Sequence, residues 1–388
     1  MEHYYLSIVF ITFTLMITLI FHLQENETLS ARIKNHLRNI AELIILGTIC
    51  EFIGLYLNSN LFASYFLHKI VKIIELSISP IIPFLFLKIL KGNNFEKKFE
   101  LAFIIFIFIH AIIEFANFFI PITFSINHSN IYFHEKYYCI YVFSYGIGII
   151  YGIYELITFT KRNQSRNILT ILSTSIFIIS GFFIRFIDYR LNTDWLVTAL
   201  ILMMFIIFYS DMRLKVDSLT SLLNRKSYDN RLRNINYSTA LIILDANNFK
   251  TINDTYGHQC GDMVLKAISK TILRAYGKYG YCYRIGGDEF CIILRQGKLY
   301  DISKNINNCD IYKAIQILNN NFDLLLDKQI DKYPMLKSGV SKGFGIYIHN
   351  DEYEYQIKSI YSSSSIQDVV KIADNQMYEN KVKNKISR

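Results

Sequence analysis

The chain has 388 residues, 52% of them hydrophobic, with 41 Lys and Arg against 32 Asp and Glu. A mean hydropathy of +0.24 is high for a soluble protein and predicts membrane spans, while the length allows about two or three domains. The formal charge of +9 would alone suit nucleic acid, but Ile, Asn, Lys, Phe and Tyr abound throughout and the basic residues concentrate in predicted membrane loops, so no nucleic-acid partner is expected. The 6 Cys include no CxxC pair and no Cys/His cluster at metal spacing, which reads as structural thiols of a reducing compartment.

Apolar stretches of spanning length recur near 4–23, 40–57, 69–90, 101–122, 137–159, 168–187 and 195–210, giving seven expected spans over a membrane unit at 1–210. The first lacks a basic leader and a small-residue cleavage site and reads as a retained helix. Pro80 and Pro83 predict a kink in the third. Connections after odd-numbered spans carry Arg32, Lys34, Arg38, then Lys88, Lys91, Lys97, Lys98, then Lys161, Arg162, Arg166; the others carry only Lys69, Lys136 and Arg190. The positive-inside rule therefore places the N-terminus outside and the C-terminal half in the cytoplasm of a multi-pass protein of the cell membrane. Glu42, Glu51, Glu75, His110, Glu114, Glu155 and Arg185 fall within spans. Each is a candidate functional group, or else an interhelical pairing partner.

Charges become frequent after Tyr209, and 211–216, free of Gly and Pro, reads as a short helical connector continuing the last span. Residues 217–233 look helical, Ala240–Leu244 reads as a buried strand, and a helical apolar spacing runs from Asp262 to about Ala275. Strand-like runs at 281–283 and 291–294 flank Arg284-Ile285-Gly286-Gly287-Asp288-Glu289-Phe290, which reads as a hairpin turn with glycines at positive φ and two carboxylates at the tip. A helix near 311–328, a strand near 338–348 and a final helix from Ile366 complete an α+β domain over 217–388. Asp245, at a strand end, and the hairpin acids offer the oxygen ligands that Mg²⁺ prefers. The loop backbone before Lys250 offers N–H groups to phosphate. Asn253 and Asp262 together supply amide and carboxylate groups able to read a guanine edge, although Gln or Asn could replace the Asp in that chemistry.

Five blocks in order resemble the GGDEF domain of diguanylate cyclases: Asp217–Arg225 (DxLTxLxNR), Asp245–Asp262 (DxDxFKxxND and GHxxGD), Arg284–Phe290, Ser341–Gly345 (SxGxA) and Ala373–Lys381 (ADxALYxAK). The resemblance implies an α-helical membrane bundle of about seven spans followed by a nucleotide-cyclase-like α+β domain, whose central, mostly antiparallel sheet is flanked by helices. It implies a homodimer in which each domain holds one GTP, and two GTP condense to cyclic di-GMP with release of two pyrophosphates, under control of the membrane region. By this resemblance Asp245, the Ala246 carbonyl and Asp288 hold two Mg²⁺ (Mn²⁺ being the alternative). Asp288, Glu289 and Arg284 are the catalytic group. Asn253 and Asp262 bind guanine; Asn248, Phe249, Lys250, Lys381 and Lys385 serve the phosphates; Gly286 and Gly287 leave room for the nucleotide. GTP, a second copy of the chain and membrane lipid are the expected partners.

Three stretches depart from the family pattern. Asn247 stands where the family has a second Asp, and Asn384-Lys385 where it has Gly-Arg, which loses the bidentate fork. The family's product-inhibition Arg and Asp would fall at Gly277 and Gly280, so no feedback inhibition through that site is expected. The other reading of these departures is a degenerate domain that binds GTP or cyclic di-GMP and signals by interaction. No phosphodiesterase domain is expected after the last motif.

Overall fold

The computed structural model describes residues 2–58, 60, 62–92, 96–162, 168–187, 193–298, 311–349 and 361–386, and the chain divides into two compact units, 1–214 and 215–388.

The first unit is built of helices α1 (Glu2–Glu25), α2 (Ala31–Leu57), α3 (Tyr65–Ile78), α4 (Ile81–Lys91), α5 (Lys97–Ala116), α6 (Cys139–Arg162), α7 (Ile168–Ile187) and α8 (Asp194–Leu214), with a short antiparallel pair β1 (Phe124–Ile126) and β2 (Tyr132–His134). Among the described residues six helices are long and apolar enough to cross a membrane, taking α3 and α4 as one broken helix. α7 coincides with the expected span at 168–187, and its described apolar stretch is Leu172–Gly181.

The break between α3 and α4 falls at Ser79-Pro80, where the prolines predict it. Pro80 has no N–H for the Leu76 carbonyl, and the His110 Nε2–H donates to that carbonyl at 3.2 Å instead. A cavity of about 340 Å³ opens beside the break, lined among others by Glu75, Ser79, Tyr138, Tyr141, Tyr145 and Trp195. The fourth span stops at Ala116, six residues short of the expected end, because the Asn117 Oδ1 accepts the backbone N–H groups of Ile122, Thr123 and Phe124.

The acids within the spans have partners. Glu114 Oε2 accepts from the Thr123 hydroxyl at 2.8 Å and its Oε1 lies 3.7 Å from His110 Nε2. Glu75 pairs with Lys72 at 2.7 Å, Glu155 with Lys91 at 3.2 Å and Glu42 with Arg38 at 3.5 Å. Glu75, Glu114 and Glu155 are buried, and their partners compensate the loss of water, whereas the Glu42 pair is exposed. The Arg185 side chain lies outside the described residues.

The expected continuous rod stops at Leu214. From Lys215 the backbone is bonded into the second unit: the Lys215 carbonyl accepts from Asn224 N–H and the Ser227 hydroxyl, and Val216 bridges Leu223. Residues 217–224 are a turn rather than the start of a helix. Asp217 Oδ1 accepts both the N–H and the hydroxyl of Thr220, and Asn224 caps α9 (Arg225–Arg233) by accepting from Ser227 N–H. Side chains that bond their own backbone favour turns and caps over helix interiors, which is why apolar spacing misleads there.

The second unit then runs β3 (Thr239–Ala246), α10 (Phe249–Tyr256), α11 (His258–Tyr276), β4 (Gly280–Arg284), β5 (Glu289–Leu294), α12 (Ile311–Asp327), a 3₁₀ turn (Pro334–Ser338), β6 (Val340–Tyr347), β7 (Ser362–Ser363) and α13 (Ile366–Ile386). The sheet order is β4-β5-β3-β6-β7, antiparallel except for the β6–β7 pair. Alternation along the central strand β3 divides the core. Ala240, Ile242 and Leu244 pack with α11 and α12 through Val264, Leu265, Ile268, Ile272, Ile315 and Phe322. Leu241 and Ile243 pack with α9 and α13 through Tyr228, Val369, Ala373 and Met377. Asp245 continues the second series, so it emerges on the α13 side.

Candidate active site

Three strand ends meet at Asp245. It pairs in register with Glu289 of β5 and Ser341 of β6, and the neighbouring Ala246 N–H donates to the Asp288 carbonyl at 3.1 Å. Cross-strand partners share a face, so Asp245 and Glu289 stand side by side. The crowding shows in their acidities. Burial raises the Asp245 carboxyl above its ordinary range, against the nearby Lys381 charge. Burial likewise raises Glu289, assisted by the negative charges of Asp245, Asp288 and Asp374. Lys381 Nζ donates to Asp245 Oδ1 at 2.6 Å.

The position of Lys381 traces back to glycines. A Cβ on Gly343 would lie 2.1 Å from the Ala373 carbonyl and 2.3 Å from the Met377 nitrogen, and one on Gly345 would lie 2.5 Å from the Val369 carbonyl. Only bare backbone lets α13 seat this closely on β6. Two α13 amides then complete the strand's open edge: Phe344 N–H donates to Gln376 Oε1 at 2.6 Å and Asn380 Nδ2 donates to the Lys342 carbonyl at 2.7 Å. One residue on from Asn380 is Lys381.

Neither hairpin glycine takes positive φ, contrary to the expectation from sequence; the positive-φ glycines among the described residues are Gly92, Gly257, Gly297 and Gly339. The turn is wider than a two-residue hairpin, with Ile285 N–H donating to the Glu289 carbonyl at 2.9 Å. A Cβ on Gly286 would meet Glu289 Oε2, the movable end of that side chain, at 2.6 Å, whereas Gly287 has nothing within 4 Å of that position. Arg284 braces the turn from below. Its Nη2 and Nε donate to the Gly287 carbonyl at 2.8 and 3.2 Å, and its Nη1 reaches Asp217 Oδ1 at 3.1 Å. Burial alone would raise the Asp217 carboxyl, but bonds from Thr220 and Arg284 outweigh it and hold the group below its ordinary value. In the sequence Asp217 is legible only as part of a motif; the clasp to Arg284 joins residues 67 apart, and nothing local signals it.

The departure at Asn247 has a structural account. Its Oδ1 accepts from the Ser341 hydroxyl at 2.7 Å, its Nδ2 donates to the Ser338 carbonyl at 3.0 Å, and its N–H donates to the Gly339 carbonyl at 3.1 Å. This buried amide staples the end of β3 to the start of β6. An ionised Asp there would have no proton for Ser338.

On the other side of β3, Asn248 adopts left-handed backbone at φ +55 and starts α10. The free N–H groups of a helix's first turn favour an anion, and here they belong to Phe249 and Lys250. Asn253 Oδ1 is buried with no hydrogen-bond partner. A Cβ on Gly261 would lie 1.9 Å from it, so Gly261 makes room for that side chain. Asp262 follows at the exposed surface of α11. An orphaned buried acceptor with an exposed carboxylate nearby fits the donor edge of guanine. Lys385 lies on α13, its side chain outside the described residues.

Among the described residues no three His, Cys, Asp or Glu side chains are gathered to hold a metal ion. Asp245, Asp288 and the Ala246 carbonyl are nevertheless hard oxygen donors, and Mg²⁺ characteristically takes one or two carboxylates and completes its shell from substrate phosphates and water. The donor set fits such an ion.

Residues 214–386 match the family model described as diguanylate cyclase, GGDEF domain. The diguanylate cyclase DgcS of Shewanella oneidensis is 40% identical over 101 residues, 24% of this chain and 34% of that protein. DgcN of Escherichia coli, also a diguanylate cyclase, is 38% identical over 115 residues, 28% of this chain and 27% of that one. An uncharacterised membrane protein of Staphylococcus haemolyticus is 30% identical over 169 residues, 42% of this chain and 44% of that protein. The chain thus spans less than half the length of these relatives. Among solved structures, the coiled coil and GGDEF domain of DgcB from Caulobacter crescentus, in complex with c-di-GMP, aligns with a TM-score of 0.33 and 21% identity, over 46% of this chain and 86% of that one.

Proposed function

We propose that the protein is a membrane-bound diguanylate cyclase that condenses two GTP into cyclic di-GMP and two pyrophosphates, a reading supported by the match of residues 214–386 to the GGDEF family model. The observation that carries this reading is the meeting of Asp245, Glu289 and the Asp288 backbone at one end of the sheet, with Lys381 2.6 Å from Asp245. Asp245, Asp288 and the Ala246 carbonyl would hold Mg²⁺, which when bound neutralises phosphate charge and lowers the pKa of the attacking hydroxyl. Asn253 and Asp262 accept the guanine N–H groups. The N–H groups at Phe249 and Lys250 face the phosphates, with the Lys250 ammonium beside them. Lys381 exchanges Asp245 for the terminal phosphate, and Lys385 adds charge from the next turn of α13. Asp288 takes the 3′-hydroxyl proton and Glu289 orients metal or phosphate. Arg284 acts through the turn it braces, so its role is positioning. Open space at Gly287 admits the nucleotide.

One domain supplies one GTP, so catalysis requires two copies face to face; the membrane helices hold that dimer, with the cyclase unit in the cytoplasm. Control by the membrane unit enters through its helices, where the cavity at the Ser79-Pro80 break could admit a stimulus. Gly280 leaves no room for the family's inhibitory Asp: a Cβ there would lie 2.6 Å from Ile292 Cγ2 and 2.8 Å from the Ile293 carbonyl. The product is therefore expected not to inhibit through that position.

The test is to incubate the detergent-solubilised chain and its Asp288→Ala variant with GTP and Mg²⁺. Cyclic di-GMP from the first and none from the second is the expected result. Nucleotide binding without turnover in either would favour a degenerate binding module.

A further inference from the structure

We propose that a basic pocket on α11, in the helical layer across the sheet from α13, binds a phosphate group. Lys266, Lys270 and Arg274 recur every fourth residue, which sets them along one face of α11. That face is exposed, while Val264, Leu265, Ile268 and Ile272 bury the opposite one against the sheet. Gln329, Lys332 and Tyr333, from the segment after α12, form the facing wall of a cavity of about 190 Å³, and Thr271 contributes to its floor.

Every charged residue lining this cavity is a cation. Among the described residues Lys266, Lys270 and Arg274 have no hydrogen bond or carboxylate partner. A solvated stripe would ordinarily mix signs, because like charges four apart on a helix repel. The helix dipole accounts for Arg274 in the last turn, but not for two lysines in the middle. Convergence of Lys332 from a separate element adds a fourth like charge rather than relieving the first three. A bound anion relieves all four. Ammonium and guanidinium donors, with the Gln329 amide and the Tyr333 hydroxyl alongside, suit a multi-oxygen anion better than a single carboxylate. A phosphoryl group meets that chemistry, either on a soluble molecule or on an anionic lipid headgroup, for which clustered basic residues on a membrane-anchored protein are suited.

The experiment uses the full chain in phosphatidylcholine nanodiscs, with EDTA present so that metal-dependent binding at the hairpin site is suppressed, and titrates inorganic pyrophosphate by calorimetry. The variants are K270Q/R274Q, both on α11, and K266Q/K332Q, one from each wall of the pocket, with K381Q as the control for the hairpin site. Charge-assisted contacts of this kind predict a loss of about tenfold or more in affinity for each pocket pair, with wild-type binding by K381Q. Repeating the titration in phosphatidylglycerol nanodiscs separates the sources: weakened pyrophosphate binding there means that lipid headgroups compete for the pocket, and unchanged binding means a soluble phosphorylated ligand. Absence of binding by the wild type, wild-type affinity in both pocket pairs, or complete loss in K381Q would each overturn the proposal. None of the four pocket residues belongs to the hairpin site, so failure of the cyclase reading would leave this result unaffected.

Discussion

Replacing Gly343 by alanine tests the seating of α13 most directly. The new Cβ would stand 2.1 Å from the Ala373 carbonyl and 2.3 Å from the Met377 nitrogen, both helix backbone that no rotamer change can clear. Ordinary contact requires about 3.4 Å or more, so α13 must retreat by roughly 1 Å. Overpacking of this kind costs about 1–3 kcal/mol, which for a unit of this size lowers the unfolding midpoint by roughly 2–12 °C. The retreat also draws Lys381 from Asp245 and strains the Gln376 and Asn380 bonds to β6. Faster amide exchange in β6 and α13, a lower midpoint and a loss of cyclic di-GMP synthesis are expected together in Gly343→Ala. Wild-type exchange, melting and turnover in that variant would refute the argument that close helix seating sets the site.

Gly287→Ala should behave in the opposite way. Nothing stands within 4 Å of the new methyl, so melting is expected to stay within about 0.5 kcal/mol of wild type, while GTP affinity measured by titration falls if the nucleotide passes there. Asn247→Asp restores the family's residue yet removes the donor to the Ser338 carbonyl; leaving that buried group facing a carboxylate should cost about 1–3 kcal/mol in denaturant melts. The Asp217–Arg284 clasp gives a signed pH dependence. The Asp217 pKa is lowered in the folded state, so its contribution to stability is present above the unfolded value, near about 4, and is lost as pH falls through the lower folded value. Acid melts of Asp217→Asn should show a shallower loss of stability over that window than wild type, and parallel curves would count against the clasp.

The sequence by itself determined the elements whose signal is local. Long apolar runs located the helices long and apolar enough to cross a membrane, since a bilayer demands about 20 apolar residues in a row, and the Pro80 break followed from a missing donor. The apolar run of β3, the helix of Asp262–Ala275 and the carboxylates of the hairpin were equally legible, because periodicity and residue chemistry lie along the chain. Local pattern misled where side chains bond backbone, as at Asp217–Asn224 and Asn117, and in the positive φ it predicts for the hairpin glycines. What tertiary structure alone decided is proximity. Asp217 holds Arg284, Ser341 holds Asn247, and Gly343 sets the distance from Lys381 to Asp245, each across tens of residues. Register and helix seating create those contacts, and no stretch of sequence short enough to read contains both partners.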